Sequence, residues 1–353
     1  MNNTLYIFSF YKYSLIFFIT FFLLLFVIGI KKHLRVFEKY YDTPQKIHND
    51  FVPPFGGLII FISFFICIKV FGSKIEFLSM EIFLPVFFIL LIGLIEDMFN
   101  NTKPIIRLIV IFGSSFYFVF VNQNNLPELD IKFINILFVK IPLLEILFYS
   151  IGLTALSNGF NMIDGMNGLA SLTAISVLIG LGSILQLTNI FYIYQREIVT
   201  FSVIIFAFLV LNFPFGKIFL GDAGAYGLGW ILGIIIIKIF SLNILNTWGA
   251  VIILFYPLME VSFSTIRKLF QKKNPLYPDL DHLHLKIYYT LKGPVFRSKE
   301  FNSFTTLSLM PLWFMPSILI VWTFFYSHLT FIALILMIFI YIYFYLAIPK
   351  KSK

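Results

Sequence analysis

The chain has 353 residues, of which 59% are hydrophobic and only 12% are charged, and its formal net charge is +9. A water-soluble protein of this size needs far more charge to cover its surface, so the composition excludes a soluble domain. Phenylalanine alone occurs 47 times, which indicates that much of the surface faces lipid.

Apolar runs of about 17 to 25 residues predict transmembrane helices rather than the short alternating strands of a membrane barrel. A helix satisfies its backbone hydrogen bonds internally, as hydrocarbon requires. The eleven predicted spans are 12–30, 55–72, 81–97, 105–121, 141–157, 167–187, 198–213, 224–241, 248–266, 307–326 and 328–348. The predicted fold class is an all-α polytopic membrane protein. Residues 1–353 form a single membrane domain, with 267–306 as a long cytoplasmic loop and 122–140 as an external loop that could hold a short hairpin.

Lysine and arginine set the predicted orientation, because they concentrate in cytoplasmic loops. Most of the 26 fall after the first span, between spans three and four, between spans nine and ten, and in the tail. The sequence therefore predicts an external N-terminus, a cytoplasmic C-terminus and an odd number of spans in a bacterial inner membrane. The net charge of +9 reflects this bias and contact with anionic lipid, so no nucleic-acid partner is expected.

The first polar cluster precedes the second span. It contains Lys46 and His48 and leads into the Pro- and Gly-rich run 53–57. Prolines and glycines make a rigid entry that allows close backbone approach. Lys46 could hold a phosphate group, and an ordinary basic loop beside the membrane is the alternative.

The second cluster is the adjacent acid pair Glu96 and Asp97 at the end of the third span. Carboxylates beside the membrane need compensation, and at a helix C-terminus they also oppose the helix dipole. This favours a pair that holds a divalent cation or acts as a base over a simple solvated helix end.

The third cluster is the run 158–168, which contains Asn158, Asn161, Asp164 and Asn167. The first three recur at three-residue spacing, so they share one face if the segment is helical. Their oxygen atoms suit Mg²⁺. A polar turn between helices is the alternative, but the run is too dense in polar residues to favour it.

The fourth cluster surrounds Asp222 at the start of the eighth span, with Lys217 before it and glycines on both sides. A helix N-terminus offers free N–H groups and a positive dipole, and the glycines let phosphate approach the backbone. A simple N-cap role for Asp222 is the alternative.

A fifth and weaker cluster contains His282 and His284 in the longest cytoplasmic loop. Two histidines two residues apart would point the same way on a strand, whereas a basic solvated loop is the alternative. Zinc is not expected there, because the single cysteine, Cys67, lies inside a span and cannot contribute.

All five clusters fall on the predicted cytoplasmic face, which favours one site assembled from distant segments. Carboxylates, amides and basic residues without a thiol nucleophile fit Mg²⁺, or Mn²⁺, and a diphosphate. A transporter or lipid flippase is the competing class, but it predicts polar residues near mid-membrane. An acyltransferase or glycan polymerase would not need this set of carboxylates and amides.

These motifs, above all NGFNMIDGMNGLA and the run from Lys217 to Gly224, resemble the polyprenyl-phosphate N-acetylhexosamine-1-phosphate transferases of glycosyltransferase family 4. These are relatives of phospho-N-acetylmuramoyl-pentapeptide transferase. The resemblance runs from Asp42 to His284 and implies a transferase that moves a sugar-1-phosphate from a UDP-N-acetylhexosamine to undecaprenyl phosphate, releases UMP and begins a lipid-linked surface glycan.

The resemblance also implies residue roles. Glu96 and Asp97 would be the acidic pair, with Asp97 the stronger catalytic candidate, and Asp222 and Asn161 would bind Mg²⁺. Asp164 would contact the uridine, and His282 and His284 would read sugar and phosphate. Three positions depart from the family pattern: Glu96 replaces an aspartate, Ala225 a serine and Leu285 a histidine. The sugar, with N-acetylglucosamine as default, stays open. The choice between a one-step reaction and a covalent two-step reaction also stays open. The oligomeric state is open as well, and a homodimer is one alternative.

Overall fold

The computed structural model describes residues 2–34, 51–71, 79–188, 191–277, 279–291 and 298–349, which form helices and no strands. The helices are α1 (Asn2–Gly29), α2 (Lys31–Leu34), α3 (Gly56–Phe71), α4 (Met80–Phe99), α5 (Pro104–Val121), α6 (Lys132–Lys140), α7 (Pro142–Ile163), α8 (Leu169–Leu187), α9 (Phe191–Asn212), α10 (Gly221–Ser241), α11 (Thr247–Ile253), α12 (Phe255–Phe270), α13 (Leu283–Leu291), α14 (Ser298–Ser308), α15 (Met310–Trp313), α16 (Met315–Thr323) and α17 (Ser327–Ala347).

Each of the predicted spans coincides with one of these helices or with a bent run of them. By length and apolar composition, the described residues supply seven helices able to cross a membrane, or nine if each of two bent pairs is one span. The chain bends by 84° between α11 and α12 and by 49° between α14 and the run α15–α16. The all-helical membrane fold is confirmed, whereas the count of eleven and the orientation stay predictions.

Two connections differ from the sequence prediction. The segment 122–140 holds a short 3₁₀ turn at Gln123–Asn125 and helix α6 where a hairpin was an option. The long loop predicted over 267–306 contains the end of α12, all of α13 and most of α14. This loop is therefore built largely from short helices, and it brings polar residues back against the bundle.

Helix α10 lies at the centre of the bundle, and 89% of the residues in its most apolar membrane-length segment are buried. It packs against α3, α4 and α7, and Ser157 of α7 donates a hydrogen bond to the Tyr226 carbonyl oxygen at 2.6 Å. A Cβ atom at Gly57 would lie 2.0 Å from the Gly224 Cα atom, so the α3–α10 contact depends on glycine. The close packing holds the first turn of α10, which carries Asp222, in a fixed position.

The run 53–57 forms a backbone junction with the segment that leads into α10. The Phe219 N–H donates to the Pro53 carbonyl oxygen, and the N–H groups of Gly56 and Gly57 donate to the carbonyls of Phe219 and Leu220, all within 3.0 Å. The close backbone approach predicted for this proline–glycine run is confirmed. Its role is to fix the entry to α10.

Candidate active site

A cavity of about 940 Å³ opens where α4, α7 and α10 meet the segment after α12. Its polar lining includes Glu96, Asp97, Arg107, Asn158, Asn161, Asp164, Asn167, Asp222, His282 and His284. Clusters two to five of the sequence analysis therefore contribute to one site, as expected. Lys46 and His48 of the first cluster lie outside the described residues.

Asp222 is held from two neighbouring helices. Its Oδ2 atom lies 2.8 Å from the Arg107 guanidinium of α5, and its Oδ1 atom accepts a hydrogen bond of 2.8 Å from the Asn161 side-chain amide of α7. These two bonds, of which the one to Arg107 is charge-assisted, fix the carboxylate in the first turn of α10. Asp222 and Asn161 thus contact each other directly, and their binding of a metal ion stays a prediction.

Glu96 shares the same arginine. One carboxylate oxygen lies 3.2 Å from the Arg107 guanidinium, and the other accepts a 2.9 Å hydrogen bond from the Thr102 backbone N–H. Arg107 therefore stands between the carboxylates of Glu96 and Asp222. Among the described residues it is the positive charge nearest to both acids, and the sequence analysis did not single it out.

Asp97 is buried and caps a different helix. Its two carboxylate oxygens accept the backbone N–H groups of Asp222 at 2.8 Å and Ala223 at 3.1 Å, in the first turn of α10. Gly221 has φ +77°, and a Cβ atom there would lie 2.6 Å from Asp97 Oδ2. Asp97 satisfies N–H groups that a helix start leaves without partners, so it fixes the position of Asp222.

The third cluster follows the predicted helical face at the end of α7. Asn158 donates to the Thr154 carbonyl oxygen at 2.8 Å, which leaves its amide oxygen to the cavity. Asp164 follows the last residue of α7; its backbone N–H donates to the Phe160 carbonyl oxygen at 3.1 Å, but its carboxyl group has no hydrogen bond to a described residue. Burial and then the charge of Asp222 raise the pKa of the Asp164 carboxyl group. A buried carboxylate beside another acid would be stabilised by a bound cation or an N–H donor.

Asn167 lines the cavity but also ties the following turn to the rest of the protein. Its side-chain amide donates to the Pro214 carbonyl oxygen at 3.1 Å, and its own carbonyl oxygen accepts from the Thr306 hydroxyl at 2.7 Å. Its backbone N–H donates to the Asn302 side chain of α14. Asn167 therefore positions the turn, in addition to the substrate contact predicted for it.

Lys217 is not among the residues that line the cavity, and its predicted contact with substrate stays a prediction. Its side chain is exposed, and its ammonium group lies 5.3 Å from the ring centroid of Phe215. The turn before α10 directs this charge outward, where water and an aromatic face stabilise it.

The histidine loop, residues 279–284, packs against α12 and α17. The His282 and His284 rings stack at 5.6 Å with an interplanar angle of 12°, although His284 lies in a helix and not on a strand. His282 Nδ1 lies 2.9 Å from a carboxylate oxygen of Glu260. Burial lowers the pKa of His284 to about 4, so this imidazole is neutral at pH 7.

Ion pairs hold the start of the histidine loop. Arg267 donates to both oxygens of Asp279 at 3.2 and 2.9 Å and lies 3.1 Å from Asp281. Lys268 donates to the Tyr277 carbonyl oxygen at 2.8 Å. Among the described residues, no group of three or more His, Cys, Asp or Glu side chains is arranged to bind a metal by itself.

Taken together, fold and site define a polytopic helical membrane protein with a buried cavity of acids, amides and one arginine. The model of the family described as "Glycosyl transferase family 4" matches residues 79–240. This range contains the acids at the start of α10 and the run 158–168, and it ends before the histidine loop.

Named relatives agree with this match. The undecaprenyl-phosphate alpha-N-acetylglucosaminyl 1-phosphate transferase of Thermotoga maritima is 29% identical over 71% of this chain and 75% of its own length. The phospho-N-acetylmuramoyl-pentapeptide-transferase of Streptococcus sanguinis is 29% identical over 60% and 70%. A protein of Saccharolobus solfataricus, provisionally named a UDP-N-acetylglucosamine–dolichyl-phosphate N-acetylglucosaminephosphotransferase, is 30% identical over 62% and 67%. The chain belongs to glycosyl transferase family 4.

The sequence analysis did not single out Arg107, which lines the cavity, or Glu260 and Tyr341, which lie behind the histidine loop. Arg107 and Glu260 carried a usable signal, because a charged residue inside an apolar span usually faces a partner or a cavity. Tyr341 carried none, since one tyrosine among many in an aromatic helix is not distinctive. Its contact with Glu260, at 2.8 Å, depends on how α17 packs.

Proposed function

We propose that this protein transfers a sugar-1-phosphate from a UDP-sugar to undecaprenyl phosphate and releases UMP. The observation that carries the proposal is one cavity in which acids, amides and an arginine meet an apolar wall that reaches the bundle surface. Such a cavity suits one hydrophilic and one amphiphilic substrate. Its volume of about 940 Å³ lies at the upper end for ligand pockets, which leaves room for both reacting groups.

The apolar wall supports a lipid substrate. Ile109 and Phe112 of α5 and Ile151 of α7 line the cavity. Ile109 and Ile151 are also 61% and 57% exposed on the outside of the bundle. A polyprenyl chain could enter along this wall from the membrane while its phosphate reaches Arg107, the guanidinium nearest the acids. Arginine binds phosphate through paired N–H groups.

The polar wall supports a nucleotide-sugar. Asn158 and Asp164 at the end of α7 offer an amide oxygen and a carboxyl group to the cavity, and His282 and His284 also line it. Under the proposal, Asp164 contacts the uridine and the histidines contact the sugar and the diphosphate. N-acetylglucosamine is the proposed sugar, and UDP-N-acetylhexosamine is the substrate class.

In the proposed reaction, an oxygen of the lipid phosphate attacks the β-phosphorus of the UDP-sugar. The bond from that phosphorus to the bridging oxygen breaks, UMP leaves, and the sugar stays on its own phosphate in a lipid diphosphate. Glu96 and Arg107 orient the lipid phosphate, and Glu96 accepts its proton if one is present. The start of α10 contributes a positive helix dipole near the reacting phosphates, while Asp97 accepts the N–H groups of Asp222 and Ala223.

The site chemistry fits a divalent cation, Mg²⁺ or Mn²⁺. Glu96, Asp97, Asp164 and Asp222 line a cavity that has Arg107 as its nearest described counter-charge, and the Asp164 carboxyl group has no described hydrogen-bond partner. Asp222 and Asn161 would hold the ion through oxygen atoms, which hard cations prefer. A bound cation supplies charge neutralisation for a diphosphate and its leaving group.

The lysine and arginine bias supports a location in a bacterial inner membrane with the cavity facing the cytoplasm, where nucleotide-sugars are made. The lipid product would start a cell-surface glycan, such as a cell-wall polymer or an O-antigen. This placement stays part of the proposal, together with the external N-terminus.

The test is to incubate membranes that contain the protein with undecaprenyl phosphate and a panel of UDP-sugars, and to identify the lipid product by mass spectrometry. We expect one N-acetylhexosamine to give a lipid diphosphate-sugar. If no UDP-sugar in the panel gives a lipid-linked product above control membranes, the proposed function is wrong.

A further inference from the structure

A buried acid of α12, Glu260, lies behind the histidine loop and outside the matched family region. The side chain is 1% exposed and does not line the cavity. One carboxylate oxygen lies 2.9 Å from His282 Nδ1 and accepts the Leu283 backbone N–H at 3.2 Å. The other oxygen accepts the Tyr341 hydroxyl at 2.8 Å. Both oxygens therefore act as acceptors.

This geometry determines what His282 can do. A carboxylate has no hydrogen to donate, so the imidazole nitrogen that faces Glu260, Nδ1, carries the hydrogen. The other nitrogen, Nε2, lies 3.5 Å from a carboxylate oxygen of Asp279, which Arg267 holds. Carboxylates on both sides fix the plane of the His282 ring, and the contact with Glu260 keeps a hydrogen on Nδ1.

The fixed ring in turn places His284. The two imidazoles stack face to face at 5.6 Å, and His284 Nε2 lies 2.6 Å from the place of a Cβ atom at Gly165. Gly165 follows Asp164 in the turn after α7. A contact path thus runs from Tyr341 of α17 through Glu260 and the two histidines to the turn that carries Asp164.

We infer that Glu260 is a positioning residue of the active site: it holds His282, and through it His284, in the orientation that the nucleotide-sugar meets. Glu260 itself does not touch substrate. A merely structural role, in which the acid only ties α12 to α17 through Tyr341, would not require the contact with His282. The inference deepens the proposed function, and its kinetic part rests on that function.

The test compares Glu260→Gln with Glu260→Met. The two side chains are similar in length, but only glutamine offers an oxygen to His282 and Leu283, while its NH₂ group can donate to the Tyr341 oxygen. Replacing a buried ionic group with an apolar side chain of similar volume is often tolerated. If the methionine variant does not fold, Glu260→Asp, which withdraws the acceptor from His282, is expected to act in the same direction. Tyr341→Phe removes only the contact with α17.

The first readout needs no substrate. Carbethoxylation of each histidine is followed by mass spectrometry, with the exposed His33 and His328 as internal references. In the wild-type protein His282 and His284 are 5% and 2% exposed and should react slowly. Glu260→Met is expected to raise both rates, whereas Glu260→Gln and Tyr341→Phe leave them near the wild-type values.

The second readout is kinetic. Glu260→Met is expected to raise the KM for the UDP-sugar by roughly ten- to a hundredfold, the range for loss of a charged hydrogen bond, at unchanged KM for undecaprenyl phosphate. In a His282→Ala background the same change should add little. Equal behaviour of the glutamine and methionine variants, or full additivity with His282→Ala, would overturn the inference. If the wild-type protein transfers no sugar, the proposed function fails, and the carbethoxylation rates alone decide this inference.

Discussion

The acid cluster (Glu96, Asp97, Asp164 and Asp222) and the histidine loop line the same cavity, but different parts of the chain hold them. Backbone N–H groups at helix ends hold two of the acids, since Asp97 caps α10 and Thr102 donates to Glu96, whereas side chains of Arg107 and Asn161 hold Asp222. Buried side chains of other helices hold the histidines, above all Glu260 and Arg267. Backbone contacts at helix ends therefore position Glu96 and Asp97, whereas side-chain contacts from other helices position the histidines.

This difference has a consequence for variants. Changes on the acid side should affect the cation, the chemistry and the packing around α10 together, because the same carboxylates serve all three. Changes on the histidine side should affect mainly recognition of the UDP-sugar, because under the proposal the histidines contact that substrate. Each prediction below tests part of this contrast.

The largest effect is expected for Asp222→Asn. Asparagine keeps the shape but loses the charge that faces Arg107 and Asn161, so it should weaken a divalent cation and the placement of the diphosphate. We expect transfer to fall by roughly a thousandfold or more, within the range for loss of an acid–base or metal-binding group. The measurement is UMP release at saturating substrates over a Mg²⁺ series. Full turnover of the wild-type protein in excess chelator would contradict the assignment.

The next effect compares Asp97→Asn with Glu96→Gln. Asparagine can accept only one of the two N–H groups that Asp97 binds, and its NH₂ group would face the other. An unsatisfied buried N–H costs about 1–3 kcal/mol, so we expect a lower melting temperature as well as a loss of activity of roughly a hundredfold or more. Glu96→Gln keeps an acceptor for Thr102 and should lose less activity without losing stability.

Thermal unfolding in detergent and initial rates of UMP release check this pair of variants. If Glu96→Gln is inactive while Asp97→Asn keeps near-normal rate and stability, the capping role of Asp97 is wrong. If both variants are near normal in activity, the acid pair has only a structural role, and the enzyme interpretation loses its main support on this side.

A smaller effect is expected for Arg107→Gln, which leaves Glu96 and Asp222 without the guanidinium between them. We expect the KM for undecaprenyl phosphate to rise by roughly tenfold or more, since arginine–phosphate pairs are among the stronger hydrogen bonds. Lys103→Gln is the matched control, because it removes one exposed positive charge from the loop before α5. Equal KM values in both variants would exclude a phosphate contact at Arg107.

The smallest effect is expected for Lys217→Gln. The lysine is exposed and outside the cavity lining, so its loss should change kcat and the KM values by no more than about twofold, as is usual for surface substitutions. Steady-state kinetics over both substrates measure this. A large rise in the KM for the UDP-sugar would show that Lys217 turns inward when substrate binds.

The sequence predicted the acid side well, because carboxylates and amides are conspicuous in an apolar chain and three-residue spacing places Asn158, Asn161 and Asp164 on one helical face. It did not predict that Asp97 caps α10, since that contact joins residues 125 positions apart. The sequence could not place Lys217 relative to the cavity, because a basic residue beside glycines looks the same whether its turn faces inward or outward. Glu260 was missed because its partner, His282, is set by the packing of α12 and α13.

The most direct test of the central claim, that this one cavity transfers a sugar phosphate between a nucleotide and a lipid, is a stoichiometry. Purified protein is incubated with radiolabelled UDP-N-acetylglucosamine, with and without undecaprenyl phosphate, and UMP and the lipid-linked sugar are quantified together. The account predicts equal molar amounts of both products, formed only when the lipid phosphate is present and absent in Asp222→Asn. UMP release without the lipid acceptor, or a lipid product formed at the wild-type rate by Asp222→Asn, would contradict it.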